Sequence, residues 1–419
     1  MAKRPVHGGN LAWAAAIAGC SPAALVDFSA SINPLGPPDS VLAAIQDAIP
    51  TLGHYPDPAY TELRHALGIH HTLPPDWILP GNGAAELITW AARDMASQAD
   101  PTVYLPTPAF NDYQRACQSF GVTVSPWPLL IPNPNGQHGQ HGQKPIPSPT
   151  SGRGEVSSPA DTEGQLGGLS IGMDPSGHPS ATSESGQSAG PLPRADLQTE
   201  ALLAASPPRA SCLINNPHNP TGHLFTLDDL RPLLDHFSLV VVDEAFMDFV
   251  PPAQAPSLAP WVEQYPNLVV VRSLTKFYSL PGLRLGYALG HPDRLRRWQQ
   301  WRDPWPVNTL AAVAAVAAVQ NTAFQAQTWD WLPPTRHTLQ AGLAAMPGLS
   351  PLPSAANYLL VRAEAPVPPL QKLLLQHSRV LIRDCLSFAE LGDHYFRVAV
   401  RSEAENERLL TALARAKDL

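Results

Sequence analysis

Hydrophobic and polar positions along this chain follow two alternating patterns. Short unbroken apolar runs end abruptly in small polar residues, and longer stretches between them carry apolar residues at helical spacing. Ser211-Cys212-Leu213-Ile214 ends at Asn215, Leu239-Val240-Val241-Val242 at Asp243, and Val269-Val270-Val271 at Arg272-Ser273. Runs of this length, rich in β-branched residues, predict buried strands. Trp77-Ile78-Leu79 and Thr102-Val103-Tyr104-Leu105 read the same way. Helical spacing covers residues 11–17, 40–49 (with Asp39 or Ser40 as cap), 60–67 and 87–95. Fully apolar strands separated by helices imply an α/β fold, with a mostly parallel sheet covered on both faces. From about residue 301 the pattern changes. An alanine-rich helix through Val319 and another over 336–345 precede strands at 357–361, 380–383 and 396–400. A terminal helix starts near Ser402, with Glu405 at the capping-box position. The expected division is an N-terminal segment, 1–50, that completes a smaller α+β domain formed by 301–419, and a large domain over 51–300.

Composition changes this picture at one place. Roughly half of residues 131–195 are Gly, Pro or Ser, and no Phe, Tyr or Trp occurs there. Such a stretch cannot bury enough surface to offset its ordering entropy, so it reads as a disordered insertion in the large domain. Elsewhere the chain is ordinary: 419 residues, 44% apolar, with a formal net charge of -8. That charge argues against a nucleic-acid or anionic-membrane surface. No apolar stretch is long enough to span a bilayer, and the basic start followed by residues 11–20 only imitates a lipoprotein signal. Four scattered cysteines without metal spacing fit a reducing cytoplasm. His65, His70 and His71 lack a carboxylate or thiol partner at ligand spacing and read as a solvated helix end, so no metal site is expected.

The candidate chemistry lies at the strand ends, where ligands of open α/β sheets bind. Gly81, Phe110, Asn219, Asp243 and Lys276 all fall at or just past them. Gly81-Asn82-Gly83-Ala84-Ala85-Glu86 opens a helix, and its free N–H groups suit a single phosphate. Lys276 follows a buried strand, where desolvation makes an amine nucleophilic, and Ser273, Thr275 and Arg284 around it can hold a phosphate. Pyridoxal 5′-phosphate requires such a lysine and phosphate cup, an aromatic face for its ring, and a carboxylate at its nitrogen. Phe110 and Asp243 are the candidates for the last two.

The motifs His7-Gly8-Gly9-Asn10, Asp27-Phe28-Ser29-Ala30-Ser31-Ile32-Asn33-Pro34-Leu35-Gly36, His54-Tyr55-Pro56-Asp57, Gly81-Asn82-Gly83 and Asp243-Glu244-Ala245-Phe246 carry a resemblance, as do Leu381-Ile382-Arg383 and Tyr395-Phe396-Arg397-Val398-Ala399-Val400-Arg401. The chain resembles the fold-type I pyridoxal-phosphate enzymes of the histidinol-phosphate aminotransferase branch, and within it the threonine-phosphate decarboxylases of cobalamin biosynthesis. The resemblance implies that Lys276 carries the cofactor as a Schiff base, Asp243 pairs with the ring nitrogen and Asn219 with the ring 3-oxygen, and Phe110 stacks on the ring. Gly83, Ala84, Ser273, Thr275 and Arg284 would hold the phosphate, joined by Tyr55 across the interface of a homodimer. His7, Gly8, Asn33, Asn219, Arg383 and Arg397 would bind the phosphorylated amino acid, with Arg397 on its carboxylate. The implied reaction is decarboxylation of L-threonine O-3-phosphate to (R)-1-amino-2-propanol O-2-phosphate. Histidinol-phosphate transamination is the alternative, and a non-catalytic binding protein on the same fold is a further one. Phe246 stands where the aminotransferases have a tyrosine, a departure that the decarboxylase branch shares.

Overall fold

The computed structural model describes residues 4–5, 7–131 and 196–416, so the predicted insertion lies outside the described residues save Ile131. Thirteen strands are found among the described residues. After the two-residue β1 (Val26–Asp27) come β2 (Ile78–Gly81), β3 (Thr102–Thr107), β4 (Thr123–Pro128), β5 (Ser211–Asn215), β6 (Leu239–Asp243), β7 (Leu268–Ser273) and β8 (Gly286–Gly290). The C-terminal part adds β9 (Leu349–Pro351), β10 (Tyr358–Ala363), β11 (Val380–Leu381), β12 (Arg383–Asp384) and β13 (Tyr395–Ala399). β2 to β8 form one seven-stranded sheet in the order β2-β8-β7-β6-β5-β3-β4. Only β8 runs antiparallel to its neighbours. The carboxyl ends of β2 to β7 therefore share one edge with the entry into β8.

Alternation within the apolar runs sends side chains to opposite faces. Leu213, Val241, Val269 and Val271 pack with Leu87, Ile88 and Ala91 of helix Ala84–Ala96. Ile214, Val240, Val242 and Val270 join the larger core beneath helices Leu227–His236 and Thr309–Gln320. Each fully buried valine or leucine here contributes about 1.5–3 kcal/mol relative to an exposed one. With both faces covered, the strand ends are the open part of the sheet.

A second sheet, β12-β13-β10-β9, is antiparallel. The N-terminal segment packs beside it: β1 pairs in parallel with β11 in a two-stranded sheet, Phe28 N–H donates to Leu381 O, and Ala399 N–H of β13 donates to Phe28 O. Ser402 and Glu405 form the expected reciprocal cap before helix Glu403–Ala416.

Several elements differ from expectation. β4 carries Pro126 and Pro128, which removed its strand signal, yet it sits at the sheet edge, where missing N–H groups are tolerated. The helix expected from residue 336 begins at Thr322 and runs through Pro333 and Pro334, whose side chains are exposed. Helix Asp39–Ala48 has Pro38 at its cap and no side-chain cap bond. His71 is not a solvated helix end, since its Nε2 lies 2.7 Å from the buried Tyr287 hydroxyl. No single helix among the described residues is long and apolar enough to cross a membrane.

Candidate active site

Lys276 sits in the one-turn helix Leu274–Phe277, directly after the fully buried strand β7. The half-buried side chain places Nζ 5.0 Å from the centre of the Phe246 ring. Burial brings the amine down to about 8, with Asp243 pulling it up and Arg284 and Arg397 pushing it further down. An amine in this state is a usable nucleophile near neutral pH.

Asp243 closes β6, paired with Asn215 on one side and Val271 on the other. Both carboxylate oxygens are engaged: Oδ1 accepts from Ala245 N–H at 2.9 Å and Oδ2 from the Tyr113 hydroxyl at 2.6 Å. Burial raises its pKa, while Tyr113 and then Lys276 oppose the rise. The next residue along, Glu244, faces away into a buried ion cluster with Arg272 at 2.9 Å.

The phosphate-cup residues come together. Gly83 has φ of 78°, a left-handed conformation that favours glycine, and the Arg284 guanidinium covers the turn, its Nη2 2.5 Å from where a Cβ would stand. Gly286 has a similar role, since a Cβ would meet Ala84 N at 2.6 Å. Ala84 begins the helix, and its first N–H groups have no acceptor within it. Ser273 and Thr275 hydroxyls lie 2.8 Å apart, both buried. Hydroxyls, helix N–H groups and a guanidinium make a donor set for a phosphate, one turn from a reactive amine. The residues present therefore fit pyridoxal phosphate.

Asn219 and Arg397 also meet. Arg397 Nη1 donates to Asn219 Oδ1, and the guanidinium lies 4.8 Å over the Tyr358 ring. Arg383 faces it across the strand pair, in direct register with Arg397, and donates to Ser387 Oγ at 2.7 Å. Burial lowers the pKa of both, and each is nearly enclosed. Arg397 Nε finds no partner among the described residues. Two buried guanidiniums in cross-strand register repel each other unless an anion lies between them. Phe110 caps helix Asn111–Ser119, with the His7 ring at 5.5 Å and the Tyr113 ring at 5.7 Å. Gly8 is pressed against Ser29, whose carbonyl oxygen would lie 2.2 Å from any Cβ there.

One predicted residue is placed differently. Asn33 is buried, and its amide hydrogens go to Phe277 O and Thr328 Oγ1, both at 2.9 Å. Its N–H also donates to Lys276 O, so in this structure it braces the lysine turn. A buried amide satisfies its donors where it can, which turns this side chain inward. Tyr55, expected to act across a dimer interface, is 78% exposed and stacks on Trp305 at 4.4 Å. Tyr113 was not singled out from the sequence. Its position one turn after Phe110, in the helix that follows β3, is the signal that marks it.

Residues 23–139 and 195–413 match the family model for aminotransferase class I and II. Threonine-phosphate decarboxylase of Salmonella typhimurium is 36% identical over 97% of this chain and 95% of its own length. Histidinol-phosphate aminotransferase 2 of Nitrosospira multiformis is 29% identical over 93% of this chain and 83% of its own. Among solved structures, the histidinol-phosphate aminotransferase of Clostridium acetobutylicum superposes with a TM-score of 0.73 at 24% identity, covering 94% of this chain and all of that one. The fold, the lysine–aspartate core and the matching relatives agree: the chain belongs to the aminotransferase class I and II family of pyridoxal-phosphate enzymes, alongside threonine-phosphate decarboxylase.

Proposed function

We propose that the protein decarboxylates L-threonine O-3-phosphate to (R)-1-amino-2-propanol O-2-phosphate, a step of cobalamin biosynthesis. The observation that carries this reading is the buried, cross-strand pair of Arg383 and Arg397, of which Arg397 lies close enough to Lys276 to push its amine down. Two guanidiniums suit an amino acid with a second anionic group. Decarboxylation is favoured over transamination by the 36% identity to a threonine-phosphate decarboxylase and by Phe246, which brings no hydroxyl to the site.

Lys276, Asp243, Asn219 and Phe110 would hold the cofactor at its aldehyde, ring nitrogen, ring oxygen and ring face. Gly83, Ala84, Ser273, Thr275 and Arg284 would hold its phosphate. When bound, pyridoxal phosphate supplies an electron sink for the Cα bond that stands perpendicular to its ring. Arg397 takes the substrate carboxylate, and Arg383, with His7 and Gly8, takes the phosphate. These two anchors fix which Cα bond stands upright, which is catalysis by positioning. The Cα–carboxylate bond breaks, CO₂ leaves, and Lys276 Nζ delivers the replacing proton to Cα. Asn33 holds the lysine turn in place during this exchange.

The site is completed by a second copy of the chain. Leu42, Ile49 and Leu52, and Tyr55 with Trp305 stacked on it, leave apolar side chains exposed over residues 42–55. A homodimer covers them and lets each Tyr55 reach the neighbouring phosphate cup. The large domain would span 51–300 and the small one 1–50 with 301–419. Four free cysteines support a reducing cytoplasm.

The test sets the cofactor-loaded protein against both substrates. L-Threonine O-3-phosphate should give 1-amino-2-propanol O-2-phosphate without any oxoacid. Conversion of the cofactor to its amine form by histidinol phosphate, with turnover only when an oxoacid is added, would replace this reading by the aminotransferase.

A further inference from the structure

We infer that Tyr113 is a positioning residue for the ring-nitrogen carboxylate: its hydroxyl fixes the orientation of Asp243 and stabilises its charge. The inference rests on the reading that Asp243 serves the cofactor ring nitrogen. The geometry is specific. Tyr113 lies in helix Asn111–Ser119, is 3% exposed, and donates to Asp243 Oδ2 at 2.6 Å. A hydrogen bond of this length onto a carboxylate is of the strong, charge-assisted kind. Ala245 N–H holds the other oxygen, so the carboxylate is gripped from two directions and cannot rotate without losing a bond.

The groups facing Asp243 come from separate elements: Tyr113 from the helix after β3, Lys276 from the turn after β7, and Tyr358 from β10. Burial opposes the charge on Asp243, and the Tyr113 hydroxyl is the first influence against that penalty, ahead of Lys276. The aromatic contact with Phe110 ties the same helix to the residue proposed for the ring face. One helix thus positions both the stacking ring and, through Asp243, the partner of the ring nitrogen. A tyrosine kept only for packing would contribute its ring and nothing through its oxygen.

Tyr113→Phe separates the two, because it keeps the ring and removes the hydroxyl. The full-length protein is compared with this variant and with Asp243→Asn. The readouts are the dissociation constant of pyridoxal phosphate, the denaturation midpoint, and the titration of the Asp243 carboxyl carbon in cofactor-free protein. Loss of one hydrogen bond to a charged group predicts cofactor binding weaker by roughly 10- to 100-fold in Tyr113→Phe, with the Asp243 titration moved to higher pH. Unchanged cofactor affinity and carboxyl titration in Tyr113→Phe, with weak binding in Asp243→Asn, would overturn the inference while leaving Asp243 in its role. Unchanged binding in both variants would overturn the Asp243 reading itself. Should Tyr113→Phe unfold, the carboxyl titration of the unsubstituted protein still decides. A carboxyl raised by burial yet still ionised at neutral pH agrees with the hydroxyl offsetting burial, and a carboxyl that stays protonated at neutral pH contradicts it.

Discussion

Lys276 and its neighbours set the reactivity of the site one residue at a time. The amine is brought from its ordinary 10.5 to about 8 by burial, because the charged form loses water that Asp243 only partly replaces. In cofactor-free protein, labelling of Lys276 by a small acylating reagent should rise with pH and reach half its maximum near pH 8, since only the neutral amine reacts. A midpoint near that of a free lysine would show that the amine is not desolvated. Arg397 is the second residue whose chemistry is specific. Its fork donates to Asn219 and its plane lies on Tyr358. A lysine keeps the charge but loses both features. Arg397→Lys should raise KM for the phosphorylated amino acid by roughly 10- to 100-fold, as expected for a lost charged hydrogen bond, with cofactor affinity unchanged. An unchanged KM would place the substrate carboxylate elsewhere.

At the scale of elements, the sheet matters because six strands deliver their carboxyl ends, and β8 its start, to one edge. The strand ends are held beneath the site by a buried ion cluster. Arg272 on β7 meets the fully buried Glu244 at 2.9 Å and also donates to Asp248 and Ser257. Arg272→Ala leaves Glu244 uncompensated and should lower stability by about 3–5 kcal/mol, read as a shift in the urea midpoint. A change below about 1 kcal/mol would mean that the cluster is solvated, as exposed pairs are. Much of this architecture was legible in the sequence. β5, β6 and β7 are unbroken apolar runs, and Lys276, Asp243 and Asn219 follow directly from their ends. β4 was hidden by its two prolines, and helix Thr322–Ala344 by Pro333 and Pro334, because local signals there oppose what tertiary packing enforces. Tyr113 and the inward turn of Asn33 were not legible as roles. Each depends on a partner more than 100 residues away in the chain, at Asp243 and Phe277, and no periodicity reports such a contact.

For the whole molecule, the chain leaves and re-enters the large sheet at one place. Leu130 and Asp196 pair with each other, their N–H groups donating across at 3.3 and 3.2 Å. Joining Ile131 to Asp196 through a short turn should therefore leave the cofactor affinity and the thermal midpoint within error of the full-length protein. A loss of either would give residues 132–195 a part in the fold. The central claim concerns the bond that breaks when two arginines and one lysine act on a small phosphorylated amino acid. It is tested most directly with L-threonine O-3-phosphate labelled at the carboxyl carbon, supplied in excess to cofactor-loaded protein with no oxoacid present. The account predicts labelled CO₂ released over many turnovers, one for each molecule of 1-amino-2-propanol O-2-phosphate formed. Retention of the label in the amino acid, or its appearance in an oxoacid after a single turnover, would contradict it.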